Sequence, residues 1–362
     1  MPPSRNGYRR SRALRDSDRL RYACRLHQPR KATIKPNPTD IWYGRRHPLT
    51  WLLLPLSWLY GAIVRVRRIA YQKGWLASER LPVPVVLVGN LTVGGTGKTP
   101  LVLRLVELLR AQGWTPAIIT RGYGGRAEHW PQRVTPESDP DRVGDEPVLL
   151  ARRSGCVVVA GPDRVAAGRL AIELSDCDIL VSDDGLQHYR LARDLEIVLI
   201  DGMRGFGNGH CLPAGPLREP LERLDNVDLV LHKGGAGPGH HMQLHPGELV
   251  NLRDPTRRRP LSDLSEQRVH AVAGIGHPEP FFRQLEAAGL AVERRPYPDH
   301  HRYRAEDADH WRGLPVVMTE KDAVKCAPFA ASDHWMLPVT AILDPDFESH
   351  LLRKTDQLRA SH

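Results

Sequence analysis

One run of residues restricts the fold of this chain before anything else does. It is Val83-Pro-Val-Val-Leu-Val-Gly-Asn-Leu-Thr-Val-Gly-Gly-Thr-Gly-Lys-Thr-Pro100, an apolar strand that opens through glycines into Gly-Lys-Thr. Glycines let successive backbone N–H groups turn toward one anion, a lysine placed as Lys98 is reaches the β- and γ-phosphates, and a hydroxyl placed as that of Thr99 holds Mg²⁺. From Leu101 to Ala111 the apolar residues recur at helical spacing, so a helix N-terminus would point at the same phosphates. The spacing predicts an ATP-binding loop of Thr92, Val93, Gly94, Gly95, Thr96, Gly97, Lys98 and Thr99 between a buried strand and a helix. Such a unit belongs to an α/β fold with a mostly parallel sheet.

The loop departs from the simple pattern, which asks for glycine five residues before Gly97 and finds Thr92. Two glycines, Gly94 and Gly95, lie inside it, a spacing similar to that of the deviant P-loop ATPases. Their signature lysine is replaced by Val93, which disfavours a dimeric ATPase that needs that lysine across its interface and favours a kinase that works as a monomer.

At 362 residues the chain can bury one large or two medium cores. A formal charge of +9 and a pI near 9.5 favour an acidic partner, which charge alone does not choose among nucleic acid, an anionic membrane and a phosphorylated substrate. The five cysteines (Cys24, Cys156, Cys177, Cys211, Cys326) are scattered and odd in number, which suits a reducing cytosol and buried small side chains. Residues 1–40 are rich in arginine and proline and poor in apolar periodicity, and are expected to be a disordered basic extension. No aromatic interleaving accompanies that charge, so a nucleic-acid partner is not expected.

Thr50 to Val64 is an apolar segment holding Trp51, Trp58 and Tyr60, with Arg45 and Arg46 before it and Arg65, Arg67 and Arg68 after it. Fifteen helical residues reach about 22 Å, short of a hydrocarbon core of about 30 Å. The expectation is a helix over about 50–68 that lies in a membrane interface and does not span it. The alternative is a helix buried on the domain's own core.

Beyond the loop, short apolar runs at Val157–Ala160, Ile179–Ser182, Ile197–Ile200 and Leu229–Leu231 read as strands of a buried parallel sheet. Gly234 to Gly239 is taken as a domain boundary, followed by a second strand–helix unit from Val269 through Phe281 to Ala288. The expected organisation is a P-loop domain over 41–233, a smaller α/β domain over 240–345 and a tail over 346–362.

Two further segments bear on chemistry. Ile179-Leu-Val-Ser-Asp-Asp-Gly-Leu-Gln-His188 ends a strand in two acids: Asp183 stands in a Walker-B-type position toward Mg²⁺, with Asp184 and Gln187 placed to organise the metal or nucleotide. Transfer to an alcohol needs a group that takes the hydroxyl proton. Val143-Gly-Asp-Glu-Pro147 offers Asp145 and Glu146 at a helix start, where spacing leaves base and helix cap equally open. Tyr297-Pro-Asp-His-His301 offers His300 beside Asp299. Arg121-Gly-Tyr-Gly-Gly125 and Gly161-Pro-Asp-Arg164 bring Arg121, Tyr123 and Arg164 to loops suited to anionic groups.

Together these motifs resemble the tetraacyldisaccharide 4′-kinase family. The resemblance runs from about Trp42 to Cys326 and rests on the segments above with Leu212-Pro-Ala-Gly-Pro-Leu-Arg-Glu-Pro220, Ala273-Gly-Ile-Gly-His-Pro278 and Met318-Thr-Glu-Lys-Asp322. It implies a P-loop α/β domain flexibly joined to a smaller α/β domain. The implied reaction is transfer of the ATP γ-phosphate to the 4′-hydroxyl of a tetraacylated glucosamine disaccharide 1-phosphate, at the cytoplasmic face of the inner membrane by a peripheral enzyme. On this resemblance Asp145 is the base, working with His300 and Lys98. Thr99, Asp183 and Asp184 serve Mg²⁺, Gln187 serves the nucleotide, and Glu146, Arg121, Tyr123, Arg164 and His188 face the glycolipid. No obligate protein partner is expected; a nucleotide-switch ATPase that delivers a metal or a partner protein is the alternative. Residues 1–40 lie outside the resemblance, and Leu231-His-Lys233 stands where an asparagine-glycine turn is expected.

Overall fold

Strand and helix alternate as the apolar runs predict, and the computed structural model describes residues 38–44, 47–235 and 239–361. Along the chain come α1 (Pro38–Tyr43), α2 (Pro48–Gln72), β1 (Val85–Gly89), α3 (Lys98–Ala111), β2 (Pro116–Thr120), β3 (Gln132–Val134), α4 (Pro140–Val143), α5 (Asp145–Ser154), β4 (Val158–Ala160), α6 (Arg164–Glu173), β5 (Ile179–Asp183), β6 (Leu195–Asp201) and β7 (Leu229–Lys233). Then follow β8 (His240–Pro246), β9 (Leu249–Asn251), β10 (Arg258–Arg259), β11 (Arg268–Ala273), α7 (Glu279–Ala287), β12 (Ala291–Pro296), α8 (Ala305–Asp309), β13 (Val316–Thr319), α9 (Glu320–Cys326), β14 (His334–Leu337), β15 (Val339–Leu343) and α10 (Pro345–Ser361).

These strands form two sheets. The larger has the order β15-β8-β7-β6-β1-β5-β2-β4-β3 and is parallel from β8 to β4, with antiparallel β15 and β3 at its edges. Strands β1, β2, β5 and β6 are buried along their whole length, which is why they read as continuous apolar runs: helices cover both faces. On α3, Leu101, Leu105 and Leu109 are almost wholly buried against the sheet, each worth about 1.5–3 kcal/mol relative to exposure. The smaller sheet, β10-β9-β14-β13-β11-β12, has its own core around Phe282, Leu285 and Trp335.

The structure redraws several expected boundaries. Residues 1–37, which include Cys24, lie outside the described residues, as do Arg45 and Arg46, whereas Pro38, Thr39 and Asp40 open α1. Gly234 and Gly235 are no domain boundary, because they leave β7 for β8, its parallel neighbour in the same sheet. The smaller sheet therefore takes only 249–337, and the strands on either side of it, β8 and β15, pair with each other in the larger one. At the crossing the Gly247 N–H donates to the Pro338 carbonyl at 2.9 Å, so two strands pass between the sheets side by side. The expected tail is helix α10, whose Phe347 and Leu351 are buried in the larger core. Cys177 and Cys326 are buried as expected, but Cys156 and Cys211 are only partly so.

Helix α2 is longer than expected. Its 25 residues span about 37 Å, so length no longer excludes a bilayer span. Only Leu54, Ser57 and Gly61 are buried, a stripe too narrow for a core helix. Along that stripe it is fastened to the larger domain: the Ser57 hydroxyl donates to the Cys211 carbonyl at 2.6 Å, that of Tyr60 to the Arg218 carbonyl at 3.0 Å, and Arg67 to the Gln187 carbonyl at 3.1 Å. Trp51, Leu52, Leu56, Trp58, Leu59 and Ile63 remain more than half exposed.

Because Phe347 fills the core under α3, Phe347→Ala should lower the stability of the chain by about 3–5 kcal/mol in urea unfolding. A change below about 1 kcal/mol would show that α10 is peripheral to that core.

Candidate active site

The carboxyl ends of β1, β2 and β5 carry the loops from which the site is built, the usual place for a ligand on a parallel sheet. After β1 the chain passes Gly94 and Gly97 at φ of 103° and 92°, where a side chain would be strained, and α3 begins at Lys98. The Lys98 ammonium donates to Asn90 Oδ1 at 3.0 Å and lies 3.3 Å from Asp184 Oδ1. Val93 differs from expectation, since its N–H donates to the Pro216 carbonyl at 2.8 Å and is committed to that neighbour.

Asp183 pairs in register with Val88, which sets its carboxyl beside the start of the loop. The two adjacent acids have opposite surroundings. Burial opposes the charge of Asp184, but Lys98 and Arg218 outweigh it and hold that carboxyl at about 2, with Arg218 Nη1 at 2.9 and 3.1 Å from its two oxygens. Asp183 is fully buried; that burial and the Glu146 charge push its carboxyl up to about 7 against the pull of Lys98. Its Oδ1 has no hydrogen-bond partner, nor have the nearby hydroxyls of Thr96 and Ser182. A fully buried carboxylate short of positive charge, with an unpartnered oxygen, is a donor that a hard divalent cation fits.

On the other side of the cleft, Asp145 opens α5 behind Gly144, whose φ of 97° and close approach to the Tyr123 carbonyl leave no room for a side chain. Gly144 is the cap residue, so Asp145 is not the helix cap that spacing left open; its carboxylate accepts only the adjacent Glu146 N–H from the backbone. His300, from the smaller domain, sits at φ 57° with its Nδ1 3.1 and 3.2 Å from the Asp145 oxygens. Burial disfavours the Asp145 charge, yet the bond from His300 and the ammonium groups of Lys321 and Lys325 hold the carboxyl at about 2. For His300, burial favours the neutral ring, but the bond to Asp145 prevails and its pKa is raised. Asp184 and His300 are two of three non-glycine residues with positive φ among the described residues, and such strain gathers at functional sites.

The remaining expected residues surround these two centres. Glu146 lies 3.1 Å from Lys321, and the Tyr123 ring is 4.9 Å from that of His300. Arg164 is buried and donates to the Gly161 and Asp184 carbonyls; burial lowers its pKa to about 10, which leaves it charged. Burial, aided by Arg164, lowers His188 to about 4, so its ring is neutral at pH 7. Gln187 donates to Glu219 at 3.1 Å, while Arg121 is exposed at the rim after β2. Sequence reasoning gave no role to Asn90, Arg218, Glu219, Lys321 or Lys325. The last four lie in or beside motifs quoted above, but their partners are remote in sequence. A loop of the smaller domain closes over the phosphate loop: a Cβ built on Gly276 would stand 3.6 Å from the Gly95 nitrogen and 3.0 Å from Asp299.

Comparison with known proteins gives the family of the chain. A family model described as tetraacyldisaccharide-1-P 4′-kinase matches residues 49–356. The tetraacyldisaccharide 4′-kinase of Nitrosococcus oceani is 50% identical over 317 residues, 87% of this chain and 93% of the relative. That of Alkalilimnicola ehrlichii is 53% identical over 313 residues, 83% and 92% of the two chains. The crystal structure of LpxK from Aquifex aeolicus in complex with ATP matches with a TM-score of 0.72 at 31% identity, covering 84% of this chain and 99% of that one. With its phosphate loop, paired acids and Asp145–His300 contact framed by matches of that extent, the chain belongs to the tetraacyldisaccharide-1-P 4′-kinase family.

Proposed function

We propose that this site moves the γ-phosphate of ATP onto the 4′-hydroxyl of a tetraacylated glucosamine disaccharide 1-phosphate, with Asp145 as the base. The observation that carries the assignment of Asp145 is a buried carboxylate kept ionised by His300, Lys321 and Lys325, outside the capping role and next to Glu146, whose charge acts on Asp183. Asp145 takes the hydroxyl proton as the sugar oxygen forms its bond to phosphorus, and the bond to the leaving ADP oxygen breaks with its electron pair. His300 orients the carboxylate. Lys98 neutralises charge on the phosphates, and exposed Arg121 and Tyr123 would serve the acceptor, whereas Arg164 is buried and bonded to the Gly161 and Asp184 carbonyls and steadies the loop after β5 instead. Thr99, Asp183 and Asp184 would hold Mg²⁺, which supplies positive charge to the transferring phosphoryl group when bound.

Docking of the glycolipid from a membrane surface is supported by α2, whose exposed tryptophans and leucines lie on the helix that also touches Arg218 and Gln187 beside the site. Arginines on the same helix suit an anionic surface, and the reading places the enzyme peripherally on the cytoplasmic face. Keeping four acyl chains in lipid avoids a cost of about 0.8 kcal/mol per exposed CH₂.

With γ-labelled ATP, Mg²⁺ and the disaccharide 1-phosphate in detergent micelles, label is expected in the lipid; free phosphate with unlabelled lipid would instead indicate a nucleotide switch. Asp145→Asn should lower kcat by about two orders of magnitude while nucleotide still binds, and an unchanged kcat would remove Asp145 as base. Replacing Trp51, Leu52, Trp58 and Ile63 by serine should release the protein from anionic liposomes in a flotation assay; undiminished flotation refutes docking through α2. In EDTA, the raised pKa of Asp183 gives a definite sign: the folded state holds this proton up to about pH 7, the unfolded chain only to about 4. Wild type should therefore lose stability relative to Asp183→Asn as pH rises between those values, and a difference that stays flat with pH counts against the unpaired carboxyl.

A further inference from the structure

The segment Met318-Thr-Glu-Lys-Asp322 enters the chemistry above only through the charge of Lys321, yet it sets that lysine directly against the ring of His300. Its frame is fixed from within: buried Asp322 accepts the Thr319 hydroxyl at 2.6 Å, the Gly274 N–H at 3.0 Å and the Tyr303 hydroxyl at 3.1 Å, locking the first turn of α9 to β13. From that turn the Lys321 ammonium lies 3.1 Å from Glu146 Oε1, 3.5 Å from Asp299 Oδ1 and 3.3 Å from Nε2 of His300. One turn on, Lys325 lies 3.4 Å from Asp145 Oδ2 and 3.2 Å from Asp322 Oδ1.

An ammonium donates three hydrogen bonds and accepts none. At 3.3 Å it can face a bare ring nitrogen but not a second N–H. The single proton of a neutral His300 must then sit on Nδ1, within reach of both Asp145 oxygens. The other charged and polar groups around the ring are Asp145 and Glu146 from α5, Lys325 from α9, Tyr123 and Asp299; the Asp299 Oδ1, 3.8 Å from Nε2, favours a proton there, but it is also 3.5 Å from the Lys321 ammonium, which stands closer to Nε2 and offsets its charge. We propose that Lys321 is a positioning residue for phosphoryl transfer: it holds Nε2 of His300 as a proton-free acceptor, turns the Nδ1 proton toward Asp145, and ties this arrangement to the larger domain through Glu146.

The inference rests on the reading of Asp145 and His300 above, and its first test needs no turnover. In ¹⁵N-histidine spectra of the full chain, with His300→Gln to assign the signal, the neutral ring should carry its proton on Nδ1; the Nε2–H tautomer overturns the proposal. Lys321→Met should mix the tautomers and lower kcat about tenfold or more with KM for ATP little changed. The acidic limb of its kcat–pH profile should move to higher pH, because a cation that opposed protonation of His300 is gone. Lys321→Arg, which keeps the charge, should leave the limb in place. A limb that stays put in Lys321→Met, or moves equally in Lys321→Arg, overturns the proposal whatever happens to kcat. If Asp145→Asn leaves kcat intact, the catalytic reading fails by itself, and the tautomer still decides what Lys321 does.

Discussion

Buried carboxylates need counter-charge, and those at the head of α5 find theirs on the other sheet. Asp145 and Glu146 belong to the larger domain; His300, Lys321 and Lys325 belong to the smaller one. Desolvating so many charges yields little net stability, but leaving any one of them unpartnered costs about 3–5 kcal/mol. The network therefore acts less as glue than as a register, because the two domains can meet without an orphaned charge only in the alignment that sets His300 against Asp145. Hydrophobic contact alone would tolerate sliding.

The second centre is arranged on the opposite principle. Asp184 is compensated twice over, by Lys98 and Arg218, whereas Asp183 next to it is left short of positive charge. A surface that satisfied both acids would have no affinity left for an incoming cation. The deficit of positive charge at Asp183 and its abundance around Asp145 give the two acids opposite electrostatic surroundings within one site.

What the sequence disclosed was local. The phosphate loop, the acids that end β5 and the helix start at Asp145 each announce themselves within ten residues, because one strand or one turn dictates them. Residues 240–246 and 339–343 gave no such sign: their pairing joins segments about a hundred residues apart, and no nearby spacing encodes it. Arg65, Arg67 and Arg68 read as the polar flank of α2, but arginine is a good helix former and the helix runs on to Gln72. Lys321 was hidden because its partners, Glu146 and Asp299, are distant in the chain and meet it only once both sheets exist. The same holds for Arg218, which is remote from Asp184 until the loops after β5 and β6 fold together.

The paired crossing at Gly247 and Pro338 has a mechanical consequence. A single strand would let the smaller domain swivel freely, whereas two strands side by side resist twist and shear and bend easily only about the line that joins them. Gly276 beside Gly95 and His300 against Asp145 are both contacts from the smaller sheet to the larger domain, so any bending about that line would alter the two together. The cover over the phosphate loop and the partner of the proton acceptor thus hang from one pair of strands.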